Sequence, residues 1–113
     1  MLLNLKTLYP TFVAIIKTKN IKMDLENIIR ENKGTILDVR TEGEFIEGNV
    51  VGSLNIPVQD IMNRLDEVKQ MEAPLVLCCA SGQRSGMAQQ MLSAEGIECY
   101  NGGGWMDVNF YKN

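Results

Sequence analysis

Histidine is absent from all 113 residues. That removes the commonest general base and the commonest metal ligand, so any catalysis must rest on other groups. Cysteine is scarce: Cys78, Cys79 and Cys99 are the only three. An odd, small number is a poor disulfide framework. Free thiols in a reducing compartment fit better, so a cytoplasmic location is expected. A basic surplus is also missing. Eleven Lys and Arg stand against fourteen Asp and Glu, for a net charge of −3. Nucleic acid and an anionic membrane surface are therefore not expected as partners, because both need a basic face. No apolar run approaches the roughly 18 residues that span a bilayer. The N-terminal stretch MLLNLKTLYPTFVAIIKTKN is a poor signal peptide. Its longest apolar run is Phe12 to Ile16, and Pro10 interrupts the segment. No small-residue cleavage site follows.

What is present is one domain's worth of chain, ordinary in composition, with 45% hydrophobic and 22% charged residues. Residues 1–22 are expected to be an extension of unknown role, with TFVAII (11–16) a candidate strand by its β-branched and aromatic content. Met23 is a possible internal start, and the domain proper is expected over residues 23–113. From Asp24 the pattern becomes regular. DLENIIREN (24–32) reads as a helix with Asp24 as N-cap and Gly34 beyond its end. TILDV (35–39) is a candidate buried strand. Thr41 and Glu44 form a capping-box pair that starts a short helix in TEGEFIEG. SLNIP (53–57) reads as a second strand. Val58, Ile61, Met62, Leu65 and Val68 recur at helical spacing over 58–71. PLVLCC (74–79) is a near-continuous apolar strand, as in a sheet covered on both faces. RSGMAQQMLSAEG (84–96) reads as a helix with Met87, Ala88, Met91 and Leu92 inward and Gly96 as its stop. IECY (97–100) is a strand, NGGG a loop, and Trp105 opens a terminal segment. Met62, Met87 and Met91 read as core. Strands alternate with helices, which implies a parallel α/β sheet with helices on both faces. Reactive groups collect at the carboxyl ends of such strands. Those ends are Asp38-Val39-Arg40, Ile56-Pro57, Cys78-Cys79 and Tyr100-Asn101.

Between the most apolar strand and the best helix lies CASGQRSG. Counted from Cys78 the pattern is Cys-x5-Arg, and from Cys79 it is Cys-x4-Arg. A tight strand-to-helix loop points backbone N–H groups inward at a helix N-terminus. Gly82 can take positive φ there. A thiolate in that ring of amides is stabilised, and a cysteine pKa falls from about 8.5 to 7 or below without a histidine base. Arg84 adds a fixed positive charge. Cys79 alone stands at the strand's end, before the loop. Cys78 and Cys99 read as buried small hydrophobes.

The segment Gly34 to Trp105 resembles a single-domain rhodanese of the sulfurtransferase family. ILDVRTEGEFIEGNVVGSLNIP is similar to that family's Asp-Val-Arg, Glu-Phe/Tyr, Gly-His-Ile and Asn-Ile-Pro pattern, with Gly48-Asn49-Val50 departing at the histidine. CASGQRSG resembles its Cys-x-Ser-Gly-x-Arg-Ser loop, and NGGGWMD its closing glycine-tryptophan loop. The resemblance implies a rhodanese-like α/β fold, with a parallel sheet of about five strands and helices on both faces. It implies Cys79 as the catalytic residue. Ala80, Ser81, Gly82, Gln83, Arg84 and Ser85 form the substrate-binding loop. A loop one residue shorter than Cys-x5-Arg suits a single sulfur better than a tetrahedral phosphate.

The implied reaction moves sulfane sulfur from thiosulfate or a persulfide donor to a thiol or cyanide acceptor, through a Cys79 persulfide. Partners are then a small-molecule sulfur donor and thiol acceptor, or a persulfide-carrying protein. No metal and no cofactor are implied. Arg84 either binds the anionic donor or braces the loop through a carboxylate. Asp38 and Arg40 are expected to be structural, in an ion pair with Glu44 or with loop groups. Trp105 is expected as a pocket wall near Cys79. Gly102 to Gly104 permit close backbone approach. Two readings compete: a phosphatase or arsenate reductase using Cys78, and a non-catalytic regulatory module with the same fold.

Overall fold

The computed structural model describes residues 24–113. Asp24, expected as the N-cap, is the first described residue and is already helical, while the candidate strand in TFVAII and the extension as a whole lie outside the described residues. Helix α1 runs through residues 24–30 and ends before Gly34, whose φ of 73° is the left-handed turn that only glycine adopts cheaply. Strand β1 (Thr35–Asp38) follows, then α2 (Glu42–Glu47). The capping box is present: the Thr41 hydroxyl accepts from the Glu44 N–H, and the Glu44 carboxylate accepts from the Thr41 N–H. After these come β2 (Leu54–Asn55), α3 (Leu65–Lys69), β3 (Leu75–Cys79), α4 (Gln83–Ala94), β4 (Cys99–Gly104) and α5 (Trp105–Lys112).

The four described strands form one parallel sheet in the order β2-β1-β3-β4. Strand β3 is inner, and all five of its residues are buried. Alternation along it builds two cores. Leu75, Leu77 and Cys79 join Leu37, Ile61, Val68, Ala88 and Leu92 on one face. Val76 and Cys78 join Ile29, Val50 and Val108 on the other. Adjacent residues of a strand point to opposite faces, so the two neighbouring cysteines serve different cores. Each fully buried Leu or Val contributes about 1.5–3 kcal/mol by leaving water.

Four expectations need correction. The helix expected over 58–71 is broken into two 3-10 turns, Val58–Asp60 and Met62–Arg64, before α3 begins. Arg64, at φ −118° and ψ 27°, interrupts the helical geometry. Tight turns of three residues still keep Val58 and Ile61 on one face, so the apolar spacing did not discriminate. Met62 and Met87 are not core: they are 45% and 55% exposed. The helix α4 buries Ser85, Ala88 and Leu92 instead, and Met87 lies outside that stripe. NGGG is not a loop but the end of β4. Its glycines let α5 lie close: a Cβ on Gly102 would sit 2.9 Å from both Val108 and Val76 side chains.

Candidate active site

The site forms at the carboxyl ends of β1, β3 and β4. Strand β3 delivers Cys79, and α4 begins after three intervening residues. Gly82 is the N-cap of α4, at φ 97°, and no side chain caps it. A Cβ there would lie 3.2 Å from Gly103 Cα, so both space and backbone favour glycine. With no side-chain cap, the first N–H groups of α4 remain available. The Gly82 N–H donates to Cys79 Sγ at 3.0 Å, and the Ser85 hydroxyl lies 3.4 Å from the same sulfur. Burial pushes the Cys79 thiol up. Hydrogen bonds from the Ser85 hydroxyl and from the N–H groups of Ser85, Ser81 and Gly82 outweigh it, and bring the pKa down to about 7.

Cys78 has the opposite environment. Burial, and secondarily the charge of Asp38, push its thiol far above the ordinary range. Like Cys79 it has no exposed surface, but it faces the other core, formed by Val50 and Val108. Cys99 is also a buried free thiol, against Ser93 and Gln89 of α4.

Arg84 reaches Glu44 of α2. Its fork spans the Glu44 carboxylate, Nη1 to Oε1 at 2.6 Å and Nη2 to Oε2 at 3.0 Å. That hydrogen-bonded guanidinium, with the Thr41 N–H, holds the Glu44 carboxyl down at about 2. Arg40 behaves differently. Its carboxylate partner is Asp38, reached by Nη2 at 2.7 Å and Nε at 3.0 Å, and Asp38 is fully buried. Glu44 offers Arg40 only its backbone carbonyl, at 3.3 Å. The same guanidinium donates to the Gly48 carbonyl at 2.7 Å and lies 4.7 Å from the Trp105 ring centre. Trp105 packs with the Cys78-side core, over Arg40 and against Gly48. Ala80, Ser81 and Gln83 form the exposed lip of the loop.

Two residues at the site drew no role from sequence reasoning. Asn55 ties β2 to β1 by donating to the Asp38 and Arg40 carbonyls at 3.0 and 2.9 Å. Asn101 donates to the Gly82 carbonyl at 3.0 Å and accepts from Ser85 at 2.7 Å. Its place at a strand's carboxyl end, before three glycines, was the available signal. Among the described residues no group of three acidic or cysteine side chains is arranged to hold a metal ion. None of their helices is long and apolar enough to cross a membrane.

Comparison with known proteins agrees with this fold. The family model of the rhodanese-like domain matches residues 22–109. The uncharacterized protein YqhL of Bacillus subtilis is 37% identical over 70 residues, covering 61% of this chain and 55% of that protein. The chain thus spans about half the length of YqhL. The thiosulfate sulfurtransferase PspE of Escherichia coli is 30% identical over 78 residues, 67% of this chain and 75% of PspE. The crystal structure of a rhodanese-like domain protein from Staphylococcus aureus superposes with a TM-score of 0.63 at 32% identity, covering 75% of this chain and 83% of that one. With a parallel sheet, a cysteine loop leading into a helix and these matches together, the chain belongs to the rhodanese-like domain family.

Proposed function

We propose that the protein is a sulfurtransferase that carries sulfane sulfur on Cys79. The observation that carries this reading is the Gly82 N–H, 3.0 Å from Cys79 Sγ at the start of α4. A thiolate held there is nucleophilic near neutral pH with no histidine to activate it. It attacks the outer sulfur of a thiosulfate or persulfide donor. The donor's S–S bond breaks, sulfite or a thiolate leaves with the electron pair, and Cys79–S–S⁻ remains. The ring of N–H groups then stabilises charge on the outer sulfur as an oxyanion hole would. An acceptor thiol or cyanide removes that sulfur in the second half-reaction. Sulfite leaves as a stable anion, so no strong general acid is needed. PspE is a thiosulfate sulfurtransferase, and its resemblance makes thiosulfate the first donor to test.

Arg84 is assigned the bracing role, because both arms of its fork are already engaged by Glu44. Asp38, Arg40 and Trp105 are assigned a structural role, as a linked cluster at the end of β1. A reducing compartment such as the cytoplasm suits a free thiolate. The phosphatase reading through Cys78 is disfavoured because that side chain faces the Val50–Val108 core on the other side of the sheet and its pKa is raised.

The test compares wild type, Cys78→Ala and Cys79→Ala. After thiosulfate treatment, intact mass should rise by one sulfur, about 32 Da, in wild type and Cys78→Ala only. Cyanide should release it as thiocyanate. An aryl-phosphatase activity lost only in Cys78→Ala would replace this reading. Absence of sulfur uptake from thiosulfate and from glutathione persulfide alike would leave a non-catalytic module.

A further inference from the structure

Strand β4 bulges at Asn101. Leu77 pairs with Asn101 and Cys79 with Gly104, so two steps along β3 face three along β4. Bulges re-aim side chains, and this one sets the Asn101 amide against the cysteine loop. Asn101 Nδ2 donates to the Gly82 carbonyl at 3.0 Å, and Oδ1 accepts from the Gly103 N–H at 2.9 Å. A carbonyl only accepts and a backbone N–H only donates, so these contacts fix which end of the amide is oxygen. The Ser85 hydroxyl lies 2.7 Å from that Oδ1 and 3.4 Å from Cys79 Sγ. Ser85 is completely buried. Oδ1 cannot donate, so Ser85 supplies the proton of the shorter bond. Once Cys79 is ionised, one proton faces two acceptors.

We propose that Asn101 competes with the Cys79 sulfur for the single proton of Ser85, which makes this hydroxyl a buried rotor. It turns to the sulfur when the sulfur is anionic and back to Asn101 when it is neutral. With a neutral thiol, Sγ–H donates to Ser85 Oγ and Ser85 donates to Asn101. With a thiolate, Ser85 donates to Sγ, and Asn101 keeps the Gly103 N–H. Asn101 is thus a positioning residue that restrains how far the thiolate is favoured.

Its consequence for turnover rests on the sulfurtransferase reading above. An acceptor thiol passes its proton to the outer sulfur of Cys79–S–S⁻ and, as a thiolate, attacks that sulfur. The S–S bond breaks, its electron pair stays on Cys79 Sγ, and the acceptor departs as a persulfide carrying the proton. No oxidant or reductant is consumed. The rotor gives its hydrogen bond to Sγ as charge arrives there, and gives it back when Sγ is resulfurated.

The charged groups around Cys79 leave its titration legible. Cys78 on β3 is pushed up, and Arg84 on α4 is raised by Glu44 of α2, itself held at about 2. Asp107 of α5 stands beside Gly104, and the Asp38–Arg40 pair closes the end of β1.

The test is the pH dependence of Cys79 alkylation by iodoacetamide, assigned by mass spectrometry, in wild type, Asn101→Ala, Ser85→Ala and the double variant. Removing the rival acceptor in Asn101→Ala should lower the midpoint by about half a unit to one unit, the worth of one hydrogen bond. Ser85→Ala should raise it. In the Ser85→Ala background, Asn101→Ala should move nothing, because the contested proton is gone. A midpoint that rises in Asn101→Ala, or a shift that persists without Ser85, overturns the rotor. If Asn101→Ala does not fold, Asn101→Asp carries the test: the midpoint rises, and rises less without Ser85. An equal rise in both backgrounds overturns it. These titrations need no sulfur donor. The expected pattern without any sulfur uptake would sink the proposed activity alone, and uptake without the pattern would sink the rotor alone.

Discussion

Cys79 should make folding stability depend on pH, with a sign opposite to that of its neighbour. In the fold its pKa is about 7, against an ordinary value of 9.0. The folded chain therefore binds fewer protons than the unfolded chain between those two values. Stability contributed by Cys79 is fully present above pH 9, and is lost as pH falls through 7. Two pH units separate the titrations, so integration from pH 6 to pH 8.5 gives a rise of about 2 kcal/mol. Cys78 works in reverse. Its folded pKa is raised, so its contribution is intact below pH 9 and is lost above it. The window from 6 to 8.5 isolates Cys79. Urea unfolding of wild type and Cys79→Ala, in reductant, reads the effect as a difference between two slopes against pH. Wild type should gain about 2 kcal/mol across the window relative to Cys79→Ala. Equal slopes would show that the amide ring does not favour the thiolate, and the proposed chemistry would lose its basis.

Two further outcomes follow from the packing. Arg40→Met should cost about 3–5 kcal/mol in urea unfolding, because it leaves the Asp38 carboxylate buried without its partner; a loss under 1 kcal/mol would mean that water or another group reaches Asp38 (roughly the value of an exposed pair). Met62→Gln and Met87→Gln should each change stability by no more than about 0.5 kcal/mol, since both side chains face solvent; a core-sized loss in either would restore the sequence expectation.

Much of the sheet was legible because its signals are local. A run such as Leu75-Val76-Leu77-Cys78-Cys79 has no polar face to show water, so it belongs between two layers. Thr41 and Glu44 announce a helix start within four residues, and Gly82 announces a turn. The methionines misled because helical spacing tells which residues share a face, but not whether another element covers that face. Nothing in residues 58–71 marks Arg64 as the break, since the same apolar spacing serves a 3-10 turn and an α-helix.

Neighbouring residues alone put a cysteine at the end of a buried strand, before a glycine loop and a helix, in a chain with no histidine. Backbone sterics and the alternation of strand faces follow from neighbouring residues, so that much needs no distant partner. What surrounds the sulfur depends on how distant segments come together in the fold. Glu44 meets Arg84 across 40 positions of sequence, and Asn101 reaches Ser85 across 16. Hydrogen bonds act over about 3 Å of space, and the pairing of parallel strands, not the spacing of residues, brings those groups within reach.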